Sequence, residues 1–229
     1  MSANVDESVT LMSKDSPDRL GPALVGWLGY ASPRVLLLMT GSTLGYRIYL
    51  GDFGVWDLAI VGAILLWWPI QEWLIHTFIL HFRPITLGGR TVDLLNAKKH
   101  RAHHRDPWRI PILFVPLHTY FYSVPLLFVL WIGLAPTLPL AFTGLATFFG
   151  LSLHYEWVHY IVHTRVKPKT WFYQRLWRNH RLHHCKNENY WLGVTMLMGD
   201  RIFGTAKAPQ DVPTSDTCRT LGVESTLGA

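Results

Sequence analysis

Four long apolar runs alternate with polar segments along the chain, at about Val35 to Leu50, Val55 to Leu80, Pro111 to Ala135 and Thr137 to Val162. Each approaches or exceeds the roughly 20 residues that a helix needs to cross the hydrocarbon core. The pattern therefore predicts four transmembrane helices. Gly51-Asp52-Phe53-Gly54 is too short for anything but a tight connection, which makes the first two spans antiparallel neighbours. The third and fourth form a hairpin through Pro136, and Pro111, Pro116 and Pro125 are expected to kink the third. Followed to His81 and His163, the second and fourth segments are each 27 residues long. Continuous helices of that length run about 40 Å against a core of about 30 Å, so their last turns emerge from the membrane.

The polar segments fill in the rest. Residues 1–20 have no apolar stretch of the kind a cleavable secretory signal needs and read as a mobile tail. Gly21 to Arg34, with Trp27 and Tyr30, is expected to lie along the membrane interface. Between the second and third runs, Gly88-Gly89 reads as a turn and a short helix is expected from about Val92 to His104, ended by Pro107. A second helix, lying at the interface, is expected from Thr170 through Trp177 into the last histidine triplet. The stretch from Gly204 onward is polar, with Pro209 and Pro213, and should have no helix of its own. The fold class is thus an all-α integral membrane protein with about four spans and a histidine-rich cytoplasmic cap. Its parts are an N-terminal tail and interfacial segment (1–34), a membrane-embedded domain (35–205) and a C-terminal tail (206–229).

Composition agrees with a membrane setting, because 49 % of residues are hydrophobic, only 16 % are charged and eleven are tryptophan. The cations also fix an orientation. Of the 21 lysines and arginines, 20 fall on one side of the predicted spans, and the exception is Arg47. Cytoplasmic loops carry such an excess. Both termini and all the histidine clusters then lie on the cytoplasmic face of a bacterial inner membrane or an endoplasmic reticulum membrane. The net charge of +6 is accounted for by anionic headgroups rather than nucleic acid. Cys185 and Cys218 sit on the reducing side and should not pair.

The chemistry lies in the histidines. Ten of the twelve fall into a duplicated pattern: a Glu-Trp pair (Glu72-Trp73, then Glu156-Trp157) precedes two histidines, and 17 to 19 residues later comes H-x-x-H-H. The first copy holds His76, His81, His100, His103 and His104; the second holds His159, His163, His180, His183 and His184. On a helix the triplet spans about 100° of arc and points to one site. His76 and His81 are five apart, about 140° on an ideal helix, so they need a helix end or a distortion to meet. Two metal ions at four or five nitrogens each would use nearly all ten. Glu72 and Glu156 are either solvated helix-end charges or acceptors for ring N–H groups, and Asn187 and Asp200 either cap turns or contact the ligands. His118 reads as packing; His154 does too, unless it replaces His163 as the partner of His159. Iron is the metal such a site would use on an unreactive C–H bond with O2, and zinc can replace it during expression.

His76-x4-His81, His100-x2-His103-His104, His159-x3-His163 and His180-x2-His183-His184 resemble the eight-histidine motif set of the fatty acid hydroxylase superfamily, which includes sterol desaturases. Residues 155–160 (YEWVHY), 184–187 (HCKN), 193–195 (GVT) and 200–205 (DRIFGT) are most similar to its fatty acid 2-hydroxylase branch. The resemblance covers roughly Trp68 to Thr205. It implies a di-iron membrane oxygenase that hydroxylates a lipid acyl chain, most readily at C2 of a fatty acid or sphingolipid. Cys185 and Gly199 depart from the pattern, and no cytochrome b5 domain is fused, so electrons are expected from a separate cytochrome b5-like or ferredoxin-like donor. Sterol or carotenoid hydroxylation or desaturation would use the same metal site, and a membrane metal carrier is the non-enzymatic alternative.

Overall fold

A computed structural model of the chain describes residues 16–223; most of the polar N-terminal stretch and the last six residues lie outside the described part. Eight α-helices dominate it: α1 (Leu20–Leu28), α2 (Ala31–Leu50), α3 (Val55–Leu74), α4 (Leu95–Arg105), α5 (Leu117–Leu134), α6 (Leu138–Val162), α7 (Trp171–Cys185) and α8 (Met198–Ile202). Three segments are long and apolar enough to cross a membrane: Val55–Leu80, Ile110–Leu134 and Leu138–Val162. A fourth is added if α1 and α2, bent by 87° where they meet, count as one span. The bend sits at Tyr30, whose backbone is extended, and Arg34 Nε donates to the Leu28 carbonyl at 2.6 Å, satisfying the end of α1. In the third run Pro116 does more than kink: it stands extended just before α5, while Pro125 is carried inside that helix.

The described residues group into two compact units. The first comprises residues 26–68 and 114–157. Leu36, Leu145 and Phe149 are its buried centre, with Met39, Val124, Phe128 and Phe142 packed around them. Leu66, Phe121 and Val129 are 76 %, 83 % and 69 % exposed, an apolar surface that a soluble monomer rarely carries and lipid covers. Arg47, the one cation out of place in the sequence, is 2 % exposed. Its guanidinium pairs with Asp57 at 2.6 Å and donates to Thr143 at 2.6 Å and to the carbonyls of Gly51 and Asp52. A buried charge is tolerable in an apolar helix when it is paired in this way.

The second unit comprises residues 16–25, 69–113 and 158–223 among those described, and holds every repeated histidine. To the helical fold expected from the sequence it adds one small hairpin. Ile85–Leu87 and Arg90–Val92 are two antiparallel strands, β1 and β2, with Ile85 opposite Val92. Gly88 and Gly89, at φ 56° and 77°, supply the two left-handed positions of a two-residue hairpin. Because Val92 is spent in a strand, α4 starts at Leu95 rather than at Val92. α7 begins after Thr170, as the aromatic pattern predicts. α8 packs so closely on the start of this unit that a side-chain carbon at Gly199 would collide with the Pro69 carbonyl. Beside it the Trp73 ring stacks on Phe203 at 4.0 Å and its Nε1 donates to Thr205 Oγ1 at 3.0 Å.

Candidate metal centre

The apolar helix that begins at Val55 does not end as an α-helix. From Ile75 to Leu80 it widens into a π-helical turn, and the His81 amide donates to the His76 carbonyl five residues back. That spacing supplies the distortion that two histidines five apart require, and their rings meet at 4.8 Å between centroids. His100, His103 and His104 lie on α4, His159 on the last turn of α6 with His163 just beyond it, and His180, His183 and His184 on α7.

These ten side chains form two groups: His76, His81, His100, His104 and His183 in one, His103, His159, His163, His180 and His184 in the other. Within each group one ring nitrogen per residue lies within 4.8 Å of all the others. Each group takes four histidines from its own half of the repeat and the middle histidine of the other half's triplet. The groups adjoin, with the His104 and His184 rings 4.1 Å apart. His118 and His154 belong to neither.

The nitrogens are set up as electron-pair donors. Nδ1 of His76 donates to the Leu192 carbonyl at 2.6 Å, that of His104 to Cys218 at 2.8 Å and that of His183 to Tyr190 at 2.9 Å. A carbonyl only accepts, so the proton is on Nδ1 and Nε2 presents a lone pair. Yet Nε2 of His104 and Nε2 of His183 face each other at 3.2 Å. Two lone pairs at that distance repel unless a cation lies between them. The other close Nε2 pairs are 3.2 Å (His100 and His104), 2.9 Å (His163 and His180) and 3.1 Å (His180 and His184). Nitrogens each about 2.1 Å from one ion and at right angles to one another are about 3.0 Å apart. Nε2 of His76 and His81 and both ring nitrogens of His103 have no hydrogen-bond partner among the described residues. The donor set therefore fits two ions, each among five imidazoles.

Burial keeps these rings neutral. It holds His81, His100, His103, His163, His180, His183 and His184 well below the usual imidazole value, reinforced by neighbouring imidazoles, and pushes His104 down to about 3.

The expected carboxylate acceptors act one step further out. Glu72 is buried, but its oxygens take the amides of Val194 and Thr195 at 2.6 and 2.7 Å and the Thr195 hydroxyl at 2.7 Å, not an imidazole. Asp200 takes the amides of Leu192 and Gly193 at 2.8 and 3.0 Å and the Thr205 hydroxyl. Together they pin the strand of chain whose Leu192 carbonyl orients His76. Asn187 caps its own turn, accepting from the Asn189 amide at 3.0 Å and donating to Pro213; the carbonyl that turn presents is Tyr190, which orients His183. Glu156 accepts from Ser32 Oγ at 2.5 Å and from the Val115 amide at 2.8 Å, within the other unit. The acceptors that orient rings are backbone carbonyls, which no side-chain motif announces. One of them, Cys218, lies in the stretch that reads as a polar tail. Cys185 and Cys218 are free thiols. Beside His81 opens a cavity of about 220 Å³ lined by Trp73, Thr77, Arg83, Glu188, Asn189 and Leu192, enough for small molecules to approach the first group.

Known proteins resemble this chain in sequence and fold. The profile of the fatty acid hydroxylase family matches residues 61–205. A dihydroceramide fatty acyl 2-hydroxylase of Arabidopsis thaliana is 29 % identical over 146 residues, covering 64 % of this chain and 60 % of the relative. The ceramide very long chain fatty acid hydroxylase of Saccharomyces cerevisiae is 32 % identical over 157 residues, 65 % of this chain and 38 % of the relative. A fatty acid 2-hydroxylase of Rattus norvegicus is 25 % identical over 171 residues, 73 % of this chain and 44 % of the relative. This chain thus spans between 38 % and 60 % of the length of these relatives. Among solved structures, that of full-length scs7p, in which only the hydroxylase domain is visible, has the same fold at a TM-score of 0.57, with 21 % identity over 93 % of this chain and 73 % of that one.

Proposed function

The chain belongs to the fatty acid hydroxylase family, and on that premise we propose that it is an O2-dependent di-iron lipid hydroxylase acting at C2 of a fatty acid or sphingolipid acyl chain. The sorting of ten imidazoles into two adjoining groups of five carries this reading, and the activities for which the relatives are named, acyl 2-hydroxylation among them, point to the same carbon. Two iron ions held there would supply the activation of O2 and the oxidising power to replace hydrogen on an unactivated carbon. The lipid and O2, with two electrons and two protons, give the hydroxylated lipid and one water.

The chain's own part is positional. Neutral imidazoles offer lone pairs without a protonation step, the carbonyls of Leu192, Tyr190 and Cys218 fix three of the rings, and burial of the donors keeps bulk water from them. His76, His81, His100, His103, His104, His159, His163, His180, His183 and His184 are the ligands in this reading. Zinc would fill the same donors without supplying redox chemistry. Electrons come from a separate cytochrome b5-like or ferredoxin-like protein, and the site and both termini face the cytoplasm, as the distribution of basic residues supports.

The test is to express the chain in cells lacking 2-hydroxylated lipids and to measure acyl chains by mass spectrometry, beside a His180→Ala, His183→Ala double variant. Protein purified in mild detergent is assayed for metal in parallel. About two irons per chain and 2-hydroxy acyl chains, both lost in the double variant, are expected. Two irons with a hydroxyl or double bond at another position would refute C2; bound metal without oxygen uptake in the presence of a reductant would refute the enzyme.

A further inference from the structure

The two triplets share a residue that the metal groups do not use. HRAHH and HRLHH each carry an arginine after the first histidine, Arg101 and Arg181. Both are buried, 4 % and 1 % exposed, so each guanidinium must be held by partners that repay its removal from water. Arg101 Nη1 donates to the Phe82 carbonyl at 2.8 Å, and its Nη2 pairs with Asp93 at 2.5 Å. Arg181 Nε donates to the Val162 carbonyl at 3.1 Å and its Nη2 to the Thr164 carbonyl at 2.8 Å. Its cation lies over the rings of Trp177 at 3.8 Å and Trp108 at 5.0 Å.

Phe82 follows His81, and Thr164 follows His163. In both halves, then, the triplet arginine grips the carbonyl immediately after the last histidine of the upstream pair. Phe82 and Thr164 lie two residues past the ends of their helices, where the carbonyl is outside the helical bonding ladder, and a planar guanidinium can bond two groups at once where an ammonium offers only a point charge. The halves differ in what faces the cation, an opposite charge on Asp93 for Arg101 and the uncharged π-faces of Trp177 and Trp108 for Arg181. The grip itself is the same. Arg101 ties His76 and His81 to His100 and His104, all of one metal group; Arg181 ties His159 and His163 to His180 and His184, all of the other.

We propose that Arg101 and Arg181 are paired positioning residues, each locking the triplet helix of its half to the end of the upstream helix so that the four histidines of that half stay aimed at one ion. Each arginine acts chiefly on the ion of its own half and reaches the other only through the one crossing histidine of its triplet, His103 or His183. The inference rests on the di-metal reading.

The experiment uses full-length protein in detergent, loaded with iron-57, in wild-type form and as Arg101→Gln, Arg101→Lys, Arg181→Gln and Arg181→Lys. His104→Ala and His184→Ala serve as references for damage to one group or the other. Metal release to a chelator and Mössbauer spectra are read, with size-exclusion profiles as the check on folding. Arg101→Gln is expected to loosen one ion per chain by about 10–100-fold, with a spectral change matching His104→Ala. Arg181→Gln should loosen the other, matching His184→Ala, and the lysine variants, which keep the charge and one bond, should show smaller effects at the same ion. Wild-type release rates and spectra in the folded glutamine variants would overturn the inference, as would equal loosening of both ions in a folded lysine variant. A wild-type protein that binds no metal would overturn the di-metal reading, and the inference with it.

Discussion

Glu72→Ala tests whether the loop at Leu192–Thr195 is what aims His76. The carboxyl accepts three hydrogen bonds, at 2.6, 2.7 and 2.7 Å, from groups that are themselves buried. Truncation leaves two amides and a hydroxyl without acceptors, each costing about 1–3 kcal/mol, partly offset because one fewer charge is buried. The net loss is about 3 kcal/mol, which for a chain of this size lowers the unfolding temperature by about 6–12 °C. The released loop also carries the Leu192 carbonyl that fixes His76, so the ion of the His76 group should leave faster while the other is held. Glu72→Gln keeps one oxygen for the two amides, and the Thr195 hydroxyl can turn to accept from the new NH2; it should therefore lose under about 1 kcal/mol. Thermal unfolding in detergent and chelator-driven metal release measure both. An alanine variant that matches wild type in both assays, or a glutamine variant as damaged as the alanine one, would refute the role of Glu72 in aiming His76 through this loop.

Acid should strip the site. Eight rings outside the spans are held neutral in the fold while an unfolded histidine titrates near 6.5. Their folded values are depressed, so their contribution to stability is fully present above about pH 6.5 and is lost as pH falls below it; unchanged metal content and unfolding temperature down to pH 4 would contradict this. Asp57→Ala leaves Arg47 buried and unpaired and should cost about 3–5 kcal/mol, whereas a combined Arg47→Leu, Asp57→Leu change should recover much of it; thermal unfolding of the single and double variants decides. Gly199→Ala forces a carbon against the Pro69 carbonyl and should cost about 1–3 kcal/mol, read as a lower unfolding temperature with both ions still bound at the start of the scan. His103→Ala should weaken the ion of the His159 group, although His103 belongs to the first half of the chain, and Mössbauer spectra matching His184→Ala rather than His104→Ala would bear that out.

Hydropathy is enough to place three spans, and histidine spacing to pick out the ten histidines that the fold gathers into two groups, because both patterns recur along the chain. Other features depend on neighbours far away in sequence. Nothing in the segment Ile75–Leu80, which lacks glycine and proline, marks a π-helical turn; the need for one follows only from having to bring His81 over His76. The hairpin is legible in principle, since Ile85, Leu87 and Val92 alternate around the expected Gly88-Gly89 turn, but the helix expected from about Val92 overlaps its second strand. Glu72 and Glu156 look equivalent in the repeat, yet one holds a loop 122 residues away and the other bonds Ser32, 124 residues away. A repeated sequence sets equivalent backbone positions, and what each carboxyl meets there is decided by segments outside the repeat.

The spacing H-x-x-H-H explains why the halves cannot be separated. At about 100° per residue the first and last histidines of a triplet lie about 40° apart, while the middle one diverges from the last by about 100°. His100 and His104 accordingly serve one group and His103 the other, and His180 and His184 serve one group while His183 crosses back. Each half alone supplies four nitrogens aimed at one point and a fifth aimed elsewhere, so five nitrogens per ion require both copies. The same divergence sets the distance between the two sites, because helices α4 and α7 each serve both. A pair of adjoining five-histidine groups is therefore a consequence of duplicating one helix motif, and the crossing histidines make either group sensitive to a lesion in the opposite half.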